Sequence, residues 1–66
     1  MRDYQLRVVW ERDELSEKIN KLRTFINGRF FSSIDPEEQY RLAHQYLTMA
    51  AYLDVLESRI AAFKES

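Results

Sequence analysis

The fold is decided by residues 42–63, which read LAHQYLTMAAYLDVLESRIAAF. Apolar side chains recur there in alternating steps of four and three residues. This spacing aligns them along one side of an α-helix and is typical of the seam between two packed helices. The members of this seam are Leu42, Tyr46, Met49, Leu53, Leu56, Ile60 and Phe63. The pattern therefore predicts a long helix that needs a partner helix, with Leu53 as a central core residue.

A second seam of the same kind precedes this stretch. Its members are Val8, Leu15, Ile19, Leu22 and Ile26, with Arg12 at the one polar position. The periodicity predicts a first long helix that supplies the partner for the second.

One break separates the two seams. Asn27-Gly28 predicts a helix end, because Gly tolerates the left-handed conformation that closes many helices. Asp35-Pro36 predicts a helix start, with Asp35 as the N-cap and Pro36 at the first helical position. Glu38 lies at the capping-box spacing from Asp35.

These patterns predict an all-α fold, an antiparallel two-helix hairpin with coiled-coil-like packing, because a short connection makes the helices antiparallel neighbours. The expected bounds are a helix over about 2–27, a turn over about 28–35 and a helix over about 36–64. Residues 1–66 then form a single helical-hairpin domain, since a chain of 8.0 kDa has room for one small core.

Composition excludes several classes of protein. The chain is 45% hydrophobic, which is too apolar for a disordered tail, and it contains no cysteine for disulfides or thiolate metal sites. Its net charge of −1 provides no basic field for nucleic acid. The longest apolar run, residues 49–53, is much shorter than a membrane span. Residues 1–4 carry no apolar signal core, so we expect an intracellular protein with no membrane partner.

Apolar side chains outside the seams predict self-association. They are Val9, Trp10, Tyr40, Leu47 and Val55. They lie on several faces of the helices, and an isolated hairpin would keep an apolar flank in water and be marginally stable, so a homo-oligomer is the simplest way to cover it. The alternative is that Trp10 and Tyr40 are surface aromatics that pack on neighbouring side-chain stems.

The reactive side chains do not favour catalysis, and we expect no enzymatic activity and no cofactor. His44 is the one histidine and lies off the seam, and without cysteine it gives no zinc-site spacing. None of the serines has an adjacent base, which nucleophilic catalysis needs. Glu37 and Glu38 lie at a helix start, where they offset the helix dipole.

Polar and aromatic side chains flank the seams and form a candidate binding site. If the flanking positions of both helices face the same side, they make one surface, which we name the polar strip. Its members are Tyr4, Glu11, Lys18, Phe25, Gln45, Tyr52 and Arg59, and Arg7 lies one helical turn from Tyr4. Tyr and Arg can stack on a flat base, while Lys and Arg can neutralise phosphates.

A simpler interpretation of these residues is a solvated flank. In that case Glu11 pairs with Arg59 across the hairpin and Tyr52 covers the seam, as is common at flanking positions. On the first helix, Glu14 with Lys18 and Glu17 with Lys21 have the spacing of surface ion pairs.

The sequence resembles a family of small bacteriophage proteins, the short proteins named after a crAss-like phage member and found in temperate phages. The resemblance covers nearly the whole chain and includes both seams. Its more telling residues are Arg7, Glu11, Lys18, Gln45, Tyr52 and Arg59. It implies a small phage protein in the cytoplasm of the host bacterium.

The architecture is also similar to the helical-hairpin sponges with which phages defeat CBASS and Thoeris immunity. Those proteins form homo-oligomers and hold cyclic-nucleotide or cyclic ADP-ribose signals in pockets between protomers, without cleaving them. They place an N-terminal tyrosine and basic residues around the ligand, roles that the resemblance gives to Tyr4, Lys18 and Arg59. The local motifs here differ from those of the sponges, so only the architecture carries over.

Two main hypotheses for function follow. The first is a phage counter-defence protein that sequesters a host immune signalling nucleotide. Its candidate ligand-binding residues are Tyr4, Arg7, Lys18, Gln45, Tyr52 and Arg59. The alternative is a phage protein that inhibits or adapts a host protein by laying an apolar surface on it, with Trp10, Tyr40 and Leu47 as anchors. A virion component ranks third, and nucleic acid is not an expected partner, because most basic residues alternate with acidic ones.

Overall fold

The computed structural model describes residues 1–63 and consists of two long α-helices joined by a short connection. Helix α1 spans Asp3–Ile26 and helix α2 spans Pro36–Ala62, with one turn of 3-10 helix at Phe31–Ser33 between them. The described part of the chain is all-helical, and the helices pack side by side as the predicted hairpin. The observed bounds lie within two residues of the expected ones, except that expected helical residue 64 lies outside the described residues.

The end of α1 differs from the prediction. The prediction that Gly28 adopts a left-handed conformation is wrong, because no residue within 1–63 has a positive φ. The chain leaves the helix through Asn27 (φ −85°, ψ 0°), and the Gly28 N–H donates to the carbonyl oxygen of Phe25 at 3.0 Å. A Cβ at Gly28 would lie 3.3 Å from the carbonyl oxygens of Thr24 and Phe25. Glycine therefore permits a close approach to the helix end rather than a left-handed cap.

The start of α2 follows the prediction in most respects. The Asp35 carboxylate accepts a hydrogen bond from the Glu37 N–H at 3.4 Å, and Pro36 occupies the first helical position. Glu38 does not complete a capping box but accepts a hydrogen bond from Arg41 Nε at 2.7 Å. A carboxylate cap thus defines where the second helix begins.

Removal of this cap gives a first testable prediction. Asp35→Ala is expected to lower the free energy of unfolding by about 1 kcal/mol, because the helix loses the acceptor for an end N–H group. Asp35→Asn keeps an acceptor and is the matched control. Urea unfolding followed by circular dichroism measures both variants. Equal losses in the two variants would show that the cap hydrogen bond does not stabilise the helix.

The core is a thin line of side chains between the helices. Its buried apolar members are Val8, Leu15, Ile19 and Leu56. Leu56 is 0% exposed, whereas Leu53, the expected central residue, is only half-buried. Gln5 extends the α1 seam towards the N-terminus, and its side-chain oxygen accepts a hydrogen bond from the Arg2 N–H at 2.8 Å. The seam is therefore confirmed, but its most deeply buried residue is Leu56, the next seam residue after Leu53.

Arg12 occupies the polar seam position and links the helices. Its Nε donates to Asp13 at 2.7 Å and its Nη1 donates to Glu57 of α2 at 3.3 Å. These hydrogen bonds, first to Asp13 and then to Glu57, raise the pKa of Arg12 above its usual value. The contact with Glu57 shows which levels of the two helices face each other.

Candidate ligand-binding strip

Cross-helix contacts at one end of the hairpin place the polar strip in three dimensions. Besides the Arg12–Glu57 ion pair, the ring of Tyr4 meets that of Phe63 edge to face, with centroids 6.0 Å apart. Residues whose numbers add up to roughly 68 therefore lie at the same level of the antiparallel hairpin. This relation shows which members of the strip are neighbours.

The strip residues fall into three groups along the hairpin. Tyr4, Arg7, Glu11 and Arg59 lie towards the chain termini. Lys18 and Tyr52 share the middle level. Gln45 and Phe25 lie towards the connection. At 1.5 Å per residue, Tyr4 and Lys18 are about 21 Å apart along α1. One small ligand on one copy of the chain therefore contacts one group, or two adjacent groups, but not all six predicted site residues.

The cationic side chains of the strip are available to a ligand. Arg7, Lys18 and Arg59 are exposed, and none of them forms an ion pair with another residue in 1–63. The alternative of a Glu11–Arg59 pair is not found among these residues, since the cross-helix ion pair is instead Arg12–Glu57.

The pairs expected on the surface of α1 form only in part. Lys21 Nζ lies 3.3 Å from Glu17 Oε1, as predicted. Within the described chain, Lys18 has no corresponding pair with Glu14. Lys18 is thus distinguished from Lys21, which lies three residues away on the same helix, by having no internal counter-charge.

The aromatic members of the strip are also exposed. Tyr4 keeps about half of its surface exposed beside Phe63, and Tyr52 is 43% exposed, so it covers the seam only in part. Phe25 packs edge to face on Phe31 at 6.2 Å between centroids. The amide of Gln45 donates to Met49 Sδ at 3.8 Å, a weak contact that a ligand can replace.

A groove at the connection end was missed by the sequence interpretation. It has a volume of about 200 Å³ and is lined by Arg23, Ile26, Asn27 and Tyr46. The available signal was a tyrosine in a seam of mainly aliphatic residues, which the sequence interpretation assigned to the core. This groove adds a cation and an amide near one end of the hairpin.

Metal and membrane sites are not evident in the described residues. Residues 1–63 contain no cluster of His, Cys, Asp or Glu side chains that could hold a metal ion. None of the helices in this range is long and apolar enough to cross a membrane.

Comparison with known proteins identifies the family. The Sequestin family profile matches residues 2–62, almost the whole chain. The protein belongs to the Sequestin family. This Sequestin chain is also 43% identical over 61 residues to a protein of Enterobacteria phage T4, named as an uncharacterized 7.5 kDa protein in the denB-rIIB intergenic region. The alignment covers 92% of the chain and 95% of the phage protein. No solved structure matches.

These matches confirm the expectation of a small phage protein family. The narrower kinship of this Sequestin chain with proteins of crAss-like phages stays a prediction.

Proposed function

We propose that this Sequestin protein sequesters a host immune signalling nucleotide, of the cyclic oligonucleotide or cyclic ADP-ribose type, without cleaving it. The observation that carries the proposal is the set of exposed cations, Arg7, Lys18 and Arg59, that have no ion-pair partner within residues 1–63. The family name denotes sequestration, and the T4 relative is a phage protein. The similarity to phage sponges supports the same function.

The chemistry of the strip suits a phosphorylated base. A phosphate can bind Arg59 or Lys18 without breaking an internal ion pair, so the charge-assisted hydrogen bonds are gained in full. Tyr4 and Tyr52, both exposed, supply aromatic faces for stacking. The strip has no cysteine, no histidine and no serine to act as a nucleophile, which favours binding over cleavage.

The open shape of the strip favours enclosure of the ligand by more than one copy. All seven of its residues are exposed, so a single hairpin offers a surface rather than a pocket. We propose that the protein acts as a homo-oligomer in the host cytoplasm, where copies close the strip over the signal.

A ligand panel tests the proposal. The protein is incubated with about 10 μM of each cyclic oligonucleotide or cyclic ADP-ribose isomer, with linear AMP as the control, and thermal unfolding is measured. A bound signal is expected to stabilise the fold by more than about 1 kcal/mol, because a useful sponge binds well below that concentration. The ligand is then released by denaturation, and chromatography should recover it intact. No stabilisation by any cyclic ligand would contradict nucleotide sequestration.

One observation favours the second candidate, inhibition of a host protein. Trp10, Tyr40 and Leu47 are exposed apolar side chains, and tryptophan and tyrosine are common anchors of protein interfaces. A silent ligand panel, together with one dominant host protein captured from lysate and lost in Trp10→Ala, would support this function instead.

A further inference from the structure

The hairpin exposes more surface than a compact protein of its mass. Its accessible area is 5378 Å², whereas a compact monomer of 8.0 kDa is expected to expose about 4,450 Å². The excess, about 900 Å², is close to the roughly 800 Å² that each partner buries in a protein interface of standard size. A second copy of the chain can therefore cover the area that the elongated shape leaves in water.

The two long sides of the hairpin are not equally suited to that contact. The side with the polar strip carries Arg7, Lys18 and Arg59, and burying these cations against another copy would cost their hydration. The opposite side we name the apolar face. By helical position it comprises Leu6, Val9, Tyr40, Ala43, Leu47 and Ala50, with Trp10 at its edge.

The apolar face carries large side chains that the hairpin itself does not cover. Tyr40 is 77% exposed and Leu47 is 64% exposed, and they line a shallow groove of about 130 Å³ with Ala43 and His44. Leu6 is also exposed, near the opposite end of the hairpin. Apolar contacts are thus available at both ends of this face.

Charges on the apolar face determine the orientation. In the half near the chain termini, Arg12 already pairs with Asp13 and Glu57, which leaves Asp54 without an ion pair within residues 1–63. Arg23 lies in the half near the connection. A twofold axis along the hairpin would place the Asp54 carboxylates of two copies at the same level, whereas a twofold axis perpendicular to it brings Arg23 of each copy towards Asp54 of the other.

We infer that a second copy of this chain packs antiparallel on the apolar face, about a twofold axis perpendicular to the hairpin. This assignment builds on the self-association proposed above but does not require a nucleotide. The polar strip remains uncovered in such a dimer, open to a ligand or to a second dimer.

Two matched variants test the face. Leu47→Glu and Val55→Glu each place a carboxylate at an exposed aliphatic position of α2, but Val55 lies on the side of the polar strip. In the proposed dimer, a carboxylate at position 47 comes towards the acidic half of the other copy and is repelled by it. Light scattering should give a mass of at least about 16 kDa for the wild type and for Val55→Glu. Leu47→Glu should weaken the association at least tenfold and shift the mass towards 8.0 kDa.

Two controls separate loss of the dimer from loss of the fold. Circular dichroism checks that Leu47→Glu is folded, and Tyr40→Glu, on the same face, replaces it if it is not. A monomeric wild type, or dissociation by Val55→Glu as strong as by Leu47→Glu, would overturn the assignment. These masses are measured without nucleotide, so a silent ligand panel leaves the result unaffected.

Cross-linking tests the orientation, because the natural chain has no cysteine. Leu6→Cys and Tyr40→Cys proteins are mixed and treated with a short thiol cross-linker. The antiparallel arrangement predicts Leu6–Tyr40 cross-links between copies in the mixture, at several times the yield of either protein alone. Efficient cross-linking of Leu6→Cys to itself would overturn the antiparallel orientation.

Discussion

Leu56→Ala is expected to lower the free energy of unfolding by about 2–5 kcal/mol, because it creates a cavity at the fully buried centre of the seam. A core of this size supplies only about 3–5 kcal/mol of net stability. The variant should therefore be largely unfolded at room temperature, which circular dichroism would detect as lost helicity. The loss should shrink at high protein concentration if self-association stabilises the fold.

Val55→Ala is the matched control for this prediction. Val55 is the adjacent residue and is 54% exposed, so truncation leaves no cavity and should change stability by no more than about 0.5 kcal/mol. A melting temperature of Leu56→Ala that equals that of Val55→Ala would show that the packing of α2 against α1 is misassigned.

Lys18→Ala and Arg59→Ala are each expected to weaken nucleotide binding by about 10- to 150-fold. Each substitution deletes a charge-assisted hydrogen bond to phosphate, worth about 1.5–3 kcal/mol. Tyr4→Ala should cost about 1–3 kcal/mol of binding through lost stacking. All three side chains are exposed, so helicity should stay near the wild-type value. Titration of the ligand found in the panel, beside circular dichroism of the same samples, measures both effects.

Lys21→Ala and Arg41→Ala are the controls for these charge deletions. They remove the same charges from the same helices, but Lys21 already pairs with Glu17 and Arg41 with Glu38. Their affinity for the ligand should stay within about twofold of wild type, as expected for surface residues outside the strip. If the three strip variants bind like the wild type, the strip is not the site, and inhibition of a host protein becomes the leading function.

The hairpin was predictable because its determinants are local or periodic. The steps of four and three residues gave both seams, and Asp35-Pro36 gave the start of α2. Two details of the fold were not predictable from the sequence. Gly28 has access to the left-handed region, but no residue within 1–63 has a positive φ, and the missing Cβ instead leaves room for the carbonyl oxygens of Thr24 and Phe25. Leu56 rather than Leu53 is fully buried, because burial depends on the facing helix as well as on periodicity.

The candidate site was predictable only as a set of helical positions. Heptad labels place Tyr4, Lys18 and Arg59 on one side of the hairpin, but they do not show which carboxylate forms an ion pair with which cation. The contact of Arg12 with Glu57, and not of Glu11 with Arg59, depends on the level at which the two helices meet. The spread of the strip over three levels likewise follows from the length of the hairpin and not from any motif.

The elongated shape has a consequence for hydrodynamic and scattering measurements. The radius of gyration is 15.1 Å, the value expected for a compact chain of about 160 residues, so the monomer should elute from a sizing column like a much larger protein. Side-by-side packing at about 10 Å between axes would raise the radius of gyration only to about 16 Å, whereas end-to-end assembly would raise it to about 29 Å. In small-angle X-ray scattering, the antiparallel dimer should therefore double the forward intensity at a given mass concentration. The Guinier slope, which scales with the square of the radius of gyration, should change by only about a tenth.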